Sequence, residues 1–436
     1  MTTRNIEVDL MARVEGEGAL EVVVDKGEVK DVRLKIFEAP RFFEAFLKGR
    51  HYSEVPDIVA RICGICPVAY QMSSVHAIES AFGMEVSETV RKLRRLLYCG
   101  EWIESHSLHV YMLHAPDFLG LDSGLELARS EPEILRRGLR LKKVGDRILT
   151  VLGGRAVHPV SVCIGGFTRL PQTNELRSLL DELHWAREAA KETLAWVAGF
   201  EMPDLSPGYT FAALSGNVYP MNEGAITVSR DGTAHDMSCA SDGFEGHFKE
   251  RQAPYSTAMQ CLLDEKPYLV GPMARLNLNA ASLRPVVREA LAEAGVELPL
   301  VNPYHAIIAR SAEVLQAVDE AIELIEDYEG LGTGPGEPYR PVTPKESVGT
   351  AVTEAPRGML YHRYALDADG RVVEANIVPP TSQNQARMEA DLWQMIPSIL
   401  SLSDEALAAA CERVIRCYDP CISCATHFLR LKRVAA

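Results

Sequence analysis

The sequence predicts a mainly α protein of the α+β kind: a bundle of long helices with small β elements and hairpins at its periphery. Three observations carry that expectation. Apolar residues recur at helical spacing over long stretches, most cleanly at Leu176, Leu180, Leu183, Ala190, Leu194 and Val197. Period-two alternation is confined to short runs such as Leu20–Val24. Hydrophobic residues make up 47% and charged residues 24% of 436 positions, the balance of a globular chain with a real core.

Taken in order, residues 5–38 read as strands, with a Lys26-Gly27 turn before Val29–Ile36. From about residue 53 the pattern turns helical. Pro67 suits a first helical position, and Val68, Met72, Val75, Ile78 and Phe82 follow at helical spacing before Gly83. A longer helix is expected from Ser87 to about His114, with Val90, Leu93, Leu97, Ile103 and Tyr111 near one face, and another over roughly 174–199. Residues 203–275 are less regular, with a hairpin turn at Asp231-Gly232. A helix over about 311–328 runs into the Gly/Pro-rich stretch 330–338, read as a surface loop. A second hairpin turns at Asp369-Gly370, and a helical segment over about 384–417 closes the pattern. With no internal repeat and no clean boundary, the expectation is one domain over 1–436. Its parts are a β-rich segment at 5–38, a helical bundle at about 53–200 plus 384–427, and irregular or β insertions at about 203–275 and 357–381.

A formal net charge of -15 argues against nucleic acid as a partner, because phosphate binding needs clustered Lys and Arg. The short basic runs at 92–95 and 429–433 read as solvated faces or docking surfaces. The first residues lack the apolar stretch of a signal peptide, and no uncharged apolar run of about 18 residues occurs, so a cytoplasmic chain without a membrane span is expected. Ten cysteines in such a chain are not a disulfide framework. Cys99, Cys163, Cys239, Cys261, Cys411 and Cys417 stand singly and read as small buried residues. The other four form two C-x-x-C pairs, Cys63/Cys66 and Cys421/Cys424.

Two such pairs supply four sulfur ligands, and their ordinary meaning is structural zinc. Three features point elsewhere. The pairs lie near opposite ends of the chain, whereas zinc ribbons keep them within about 15–20 residues. Cys66 directly precedes the helix start at Pro67, where the dipole favours thiolate. Charged or imidazole neighbours, Arg61, Asp419 and His427, flank the pairs, as a reactive metal requires.

Arg61-Ile-Cys63-Gly-Ile-Cys66 and Asp419-Pro-Cys421-Ile-Ser-Cys424-Ala-Thr-His427 resemble the two signature segments of nickel–iron hydrogenase large subunits. Arg13-Val-Glu15-Gly, Arg41-Phe-Phe-Glu44, Leu108-His109 through Asp117, the segments 153–159 and 355–358, and Asn376 through Thr381 also match in order, so the resemblance spans the chain. It is nearest to the cytoplasmic NAD(P)-linked bidirectional enzymes and the sulfhydrogenases. It implies the large-subunit fold and reversible heterolytic cleavage of H2. Cys63 and Cys421 would be terminal nickel ligands, and Cys66 and Cys424 would bridge nickel to an iron carrying carbon monoxide and cyanide. Soft thiolates suit such a centre. Cys421 would be the first base and Glu15 the carboxylate that passes the proton outward. Arg357 would hold its guanidinium over the open metal position, anchored by Asp117 and Asp419, with Pro356 shaping the pocket. Glu44, His427 and the backbone around Ile377 would hold a magnesium ion.

Each residue also has an ordinary reading: Glu15 a solvated carboxylate, Arg357 a surface turn, Asp419-Pro420 a turn, His427 part of a tail. His109 and His158 read as satisfied core histidines and are left out of the site. Tyr70 departs from the pattern, since many family members carry His there. Only Phe428–Ala436 follow His427, so the chain either matures without cutting or carries a short extension. No cysteines remain for iron–sulfur clusters and no Gly-rich nucleotide fingerprint is present. The resemblance therefore implies an iron–sulfur small subunit, with flavin/NAD(P)-binding and ferredoxin-like subunits beyond it. A hydrogen-sensing regulatory subunit, a related non-catalytic scaffold and a zinc-stapled protein are the competing readings.

Overall fold

The structure, a computed structural model, describes residues 4–39, 41–330 and 337–426. It opens with an antiparallel sheet of β1 (Arg4–Val8), β2 (Gly18–Asp25) and β3 (Glu28–Ile36), in that spatial order. The alternation read in β2 places Leu20, Val22 and Val24 in the core. The Lys26-Gly27 turn has positive φ at both residues, which matches the twist of the hairpin it closes.

Four long helices follow: α1 (Pro67–Phe82), α2 (Glu88–Leu108), α3 (Pro132–Gly153) and α4 (Leu180–Ala198). The sequence pattern missed α3 because its apolar stripe is narrow: Leu135, Leu141, Val144, Ile148, Leu149 and Leu152 are buried between runs of Arg and Lys. Helix α2 stops short of His114; His109–His114 form a π-type turn that carries the chain to Asp117. Helices α2 and α3 lie close enough that a Cβ on Gly145 would sit 2.5 Å from the carbonyl oxygen of Gly100. The stretch expected as one helix over 174–199 is interrupted at Ser178-Leu179.

The irregular region contains a sheet of β4 (Phe211–Ser215), β5 (Ala225–Ser229) and β6 (Met237–Cys239), then the β7 (Phe248–Gln252) and β8 (Met259–Leu263) ladder and a short helix α5 (Pro272–Leu278). The turn at Asp231-Gly232 lies between β5 and β6. Helix α6 (Ala306–Gly330) is longer than its expected span, and residues 331–336 of the loop reading lie outside the described residues. A third three-stranded sheet, β9 (Ser347–Ala355), β10 (Gly358–Leu366) and β11 (Val372–Val378), packs on α1. The segment over 384–417 is two helices, α7 (Pro380–Ile399) and α8 (Asp404–Cys417). Ser403 caps α8 by accepting from the Ala406 N–H and so starts a new axis. A single turn, α9 (Ile422–Ala425), follows.

One hydrophobic cluster runs from Ile6 to Ala425 and takes in residues of β2, α1, α2, α6, α7 and α8. A smaller one, including Ile226, Phe244, Met359 and Tyr361, takes in residues of β4, β5, β7, β8, β9, β10 and β11. Among the described residues no helix is long and apolar enough to cross a membrane.

Candidate metal centre

The two cysteine pairs meet in the buried interior, with their four sulfurs within 4.8 Å of one another. Cys63 leaves a short 3-10 turn in extended conformation, and Cys66 is the residue that starts α1. Between them the loop folds back so that the N–H groups of Ile65 and Cys66 each donate to Cys63 Sγ at 3.3 Å. Cys421 and Cys424 occupy the start and the body of α9. Sγ separations are 3.5 Å for Cys63–Cys421, 3.8 Å for Cys66–Cys424 and 2.9 Å for Cys421–Cys424. Arg41 ties the two loops together: its Nη2 donates to the carbonyls of Ile62 (2.7 Å) and Ser423, and its backbone N–H to Thr426 (2.7 Å). Thr381, at the start of α7, accepts from the Cys421 N–H at 3.0 Å. Both Arg41 and Thr381 lie in segments matched by sequence, yet nothing local to either assigned it a role.

The N-terminal segment reaches the same place. Glu15 forms an isolated parallel bridge with Cys421, and its carbonyl accepts from the Ile422 N–H at 2.9 Å. Its Oε2 accepts from Cys421 Sγ at 3.0 Å and from the Ser423 N–H at 3.1 Å. Gly16 has φ +90 and a Cβ there would lie 2.7 Å from Ile422 Cβ, so only glycine lets the carboxylate approach so closely.

Arg357 and Pro356 form the two-residue tip of the β9–β10 hairpin, between the paired Ala355 and Gly358. Arg357 is 2% exposed, and its Nε and Nη2 donate to the Asp419 carbonyl (2.7 Å) and Oδ1 (3.0 Å). Its Nη1 and the Asp419 Oδ2 are buried without a hydrogen-bond partner among the described residues. Burial works to discharge this guanidinium, but Asp419 and then Cys421, Cys66 and Cys63 hold it well above the ordinary arginine value. The expectation that Asp117 shares in anchoring Arg357 is corrected. Asp117 is taken instead by Arg416 (2.7 and 2.8 Å) and Arg13 (2.5 Å), because the last turn of α8 brings Arg416 onto both carboxylate oxygens. Those cations outweigh burial and lower its pKa.

Glu44 accepts from the N–H of Ile377 at 2.8 Å, which joins these two expected magnesium residues; the third, His427, lies outside the described residues. Tyr70 is buried beside the cluster, and burial, then the charge of Cys424 and Cys66, push its phenol well above the ordinary value. His158, left aside by sequence reasoning, reaches the Cys63 carbonyl with Nε2 at 3.1 Å and the Arg61 guanidinium with Nδ1 at 3.2 Å. His109, read as a satisfied core histidine, donates from Nε2 to the Arg416 carbonyl at 2.9 Å, while its Nδ1 is buried without a hydrogen-bond partner among the described residues. Glu101 carried no sequence signal. Its carboxylate accepts from the N–H groups of Val68 (2.6 Å) and Ala69 (3.0 Å), closing the first turn of α1 just behind Cys66.

The donor set fits a soft or borderline cation. Four buried sulfurs cannot all ionise unaided. Hydrogen bonding from Cys421 holds Cys63 well below the usual thiol range, while burial pushes Cys424 up. A bound metal would let all four act as thiolates. A closed zinc site would satisfy the same sulfurs but leaves the unpartnered Arg357 Nη1 and Asp419 Oδ2 unexplained.

Comparison with known proteins agrees with this geometry. A model of the nickel-dependent hydrogenase family matches residues 41–136 and 218–427, and the chain belongs to that family. It is 34% identical to the sulfhydrogenase 2 alpha subunit of Pyrococcus furiosus over 98% of this chain and 100% of that one. It is 35% identical to the sulfhydrogenase 1 alpha subunit of the same organism, covering 98% of each. Among solved structures, an NAD+-reducing nickel–iron hydrogenase in its H2-reduced state superposes with a TM-score of 0.86 at 28% identity, over 98% of this chain and 100% of that one. Within the family the chain is a large subunit, similar to those of sulfhydrogenases and of an NAD+-reducing enzyme, with the large-subunit fold, and an oxidoreductase acting on H2.

Proposed function

We propose that Cys63, Cys66, Cys421 and Cys424 hold a nickel–iron centre at which this chain cleaves and forms dihydrogen. The observation that carries the reading is the buried four-sulfur cluster with the partnerless Nη1 of Arg357 beside it. When bound, the centre supplies the open, Lewis-acidic position at which H2 is polarised. The protein's part is to move the proton and hold charge. Cys421 Sγ gives its proton to Glu15 Oε2 across 3.0 Å, and the Ser423 N–H steadies the carboxylate as it changes charge. Arg357, locked by Asp419, would keep a fixed positive charge beside the buried cysteines. Pro356 fixes the hairpin tip, and Asp117 fixes Arg416 on the flank. Glu44, Ile377 and His427 form the magnesium site in this reading, tying the ends of the chain together.

Electrons leave by a flank of the cluster that, among the described residues, reaches solvent where Arg61 and Gly64 are exposed and His158 is half-buried. That flank suits a small subunit with iron–sulfur clusters. The likeness to sulfhydrogenase alpha subunits and to an NAD+-reducing enzyme supports onward transfer to NAD(P) through a flavoprotein, and a cytoplasmic assembly in which this chain is one domain. The test is an infrared spectrum with metal analysis on the matured complex, purified without oxygen. Carbon monoxide and cyanide stretches with nickel and iron are expected. Zinc without those bands would return the cysteines to a structural role.

A further inference from the structure

The tip that carries Arg357 is braced by side chains well away from the cysteines. Arg275, on α5, is 0% exposed and uses all five of its N–H groups. Nε and Nη2 make a fork with both oxygens of Glu313 (2.7 and 2.7 Å), and Nη1 donates to Glu354 Oε2 at 2.8 Å. The two remaining donors go to the carbonyls of Ala355 and Pro356, each at 2.9 Å. These are the two residues before Arg357. Trp102 Nε1 donates to the preceding carbonyl, that of Glu354, at 3.1 Å, and its ring lies under the Arg275 guanidinium at 4.4 Å. Three successive carbonyls are therefore held by side chains from helices α2 and α5, at the closed end of the hairpin's own ladder. On the other side of the tip, Gly271 and Gly358 leave no slack: a Cβ on Gly271 would lie 2.7 Å from the Arg357 oxygen, and one on Gly358 would lie 2.5 Å from Val270 Cγ2.

We infer that Arg275 and Trp102 are positioning residues for Arg357: they clamp the carbonyls of residues 354–356 and so set where the catalytic guanidinium points. A buried five-donor arginine held by two carboxylates is a costly way to fill a core, since replacing such pairs by apolar residues is often neutral or stabilising. Here two of the five donors end on the carbonyls that immediately precede one functional residue, while Glu313 and Glu354 also accept from the Tyr219 hydroxyl and the Leu214 N–H. Arg357 needs the brace because its own anchor, Asp419, takes the head group but not the backbone from which the side chain springs. A two-residue turn without side-chain support would let the guanidinium swing by more than the fraction of an ångström that oriented catalysis tolerates.

The inference rests on the reading of Arg357 given above, and the experiment separates the two. Arg275→Lys, Trp102→Phe, Arg357→Lys and the Arg275→Lys/Arg357→Lys double variant are made in the whole enzyme complex. Each is assayed for nickel and iron content, H2 oxidation, and amide hydrogen exchange in peptides spanning 352–362. Arg275→Lys is expected to lower turnover about 100-fold and Trp102→Phe about tenfold, both with faster exchange at the tip and wild-type metal content. The double variant should be no slower than Arg357→Lys alone, because both act through one group. Trp102→Phe leaves every charged group of the ion network in place, so it decides the matter should Arg275→Lys fail to assemble. Unchanged exchange at the tip in Trp102→Phe, or losses that multiply in the double variant, would overturn the inference. Wild-type turnover in Arg357→Lys would instead sink the reading of Arg357, while the exchange data would still report on the brace.

Discussion

Replacing Glu15 by Gln tests the proton step with the least structural disturbance. The carbonyl of residue 15 would still accept from the Ile422 N–H, and the amide oxygen can still take the Ser423 N–H that now lies 3.1 Å from Oε2. The chain therefore keeps its bridge to Cys421, and metal content should stay at the wild-type level. What is lost is the only carboxylate among the described residues that hydrogen-bonds to Cys421 Sγ, at 3.0 Å. An amide cannot take that proton. General acid–base groups of this kind contribute about 10²–10⁴-fold, or about 3–5 kcal/mol in the barrier. H2-driven dye reduction should fall by that factor, while the infrared bands of the centre barely move. Glu15→Asp should recover part of the rate, since it restores a carboxylate at a longer reach. If Glu15→Gln turned over H2 within about twofold of the wild type, with full metal content, the Cys421–Glu15 route would be wrong.

Other outcomes follow from the same geometry. Cys424→Ser, or Ser at any of the other three positions, should abolish nickel and iron retention in metal analysis, since a hydroxyl is a poor substitute for a soft thiolate. His106 and His114 are buried imidazoles whose pKa values burial pulls from 6.5 to about 4 and about 3. Unfolded, they bind protons that the folded chain refuses, so their contribution is present above pH 6.5 and is lost as pH falls towards those values. Between pH 7 and 5 this amounts to about 2 kcal/mol each. The thermal midpoint should drop over that interval, and His106→Gln should flatten part of the drop. A Cβ on Gly349 would lie 2.0 Å from the Ala77 carbonyl oxygen, so Gly349→Ala should separate β9 from α1. It should destabilise the chain by about 1–3 kcal/mol or more, read by denaturant unfolding; an unchanged midpoint would refute that packing.

The cluster itself was legible because its ligands are rare residue types at a fixed short spacing: two C-x-x-C pairs stand out whatever the fold. Period-two and 3.6-residue patterns likewise marked β2, β3, α1 and α2, since one buried face repeats along each. Local pattern went wrong where tertiary packing sets the element. Helix α3 needs only a narrow apolar seam because glycine lets it lie hard against α2, so its remaining surface could be basic. One apparent segment after residue 380 became two helices because Ser403 starts a new axis.

Pairings between distant residues were beyond any local reading. Asp117 could have served Arg357 or Arg416, two arginines that composition cannot tell apart; the last turn of α8 awards it to Arg416. Nothing in the residues around 275 or 102 announces that they end on the carbonyls before Arg357. Sequence alone determined the chemistry on offer: four thiols, a carboxylate and a guanidinium in matching segments. Which of these meet, and what braces them, was decided by how helices and hairpin pack in three dimensions, because a hydrogen bond depends on ångström-scale position that residue identity does not encode.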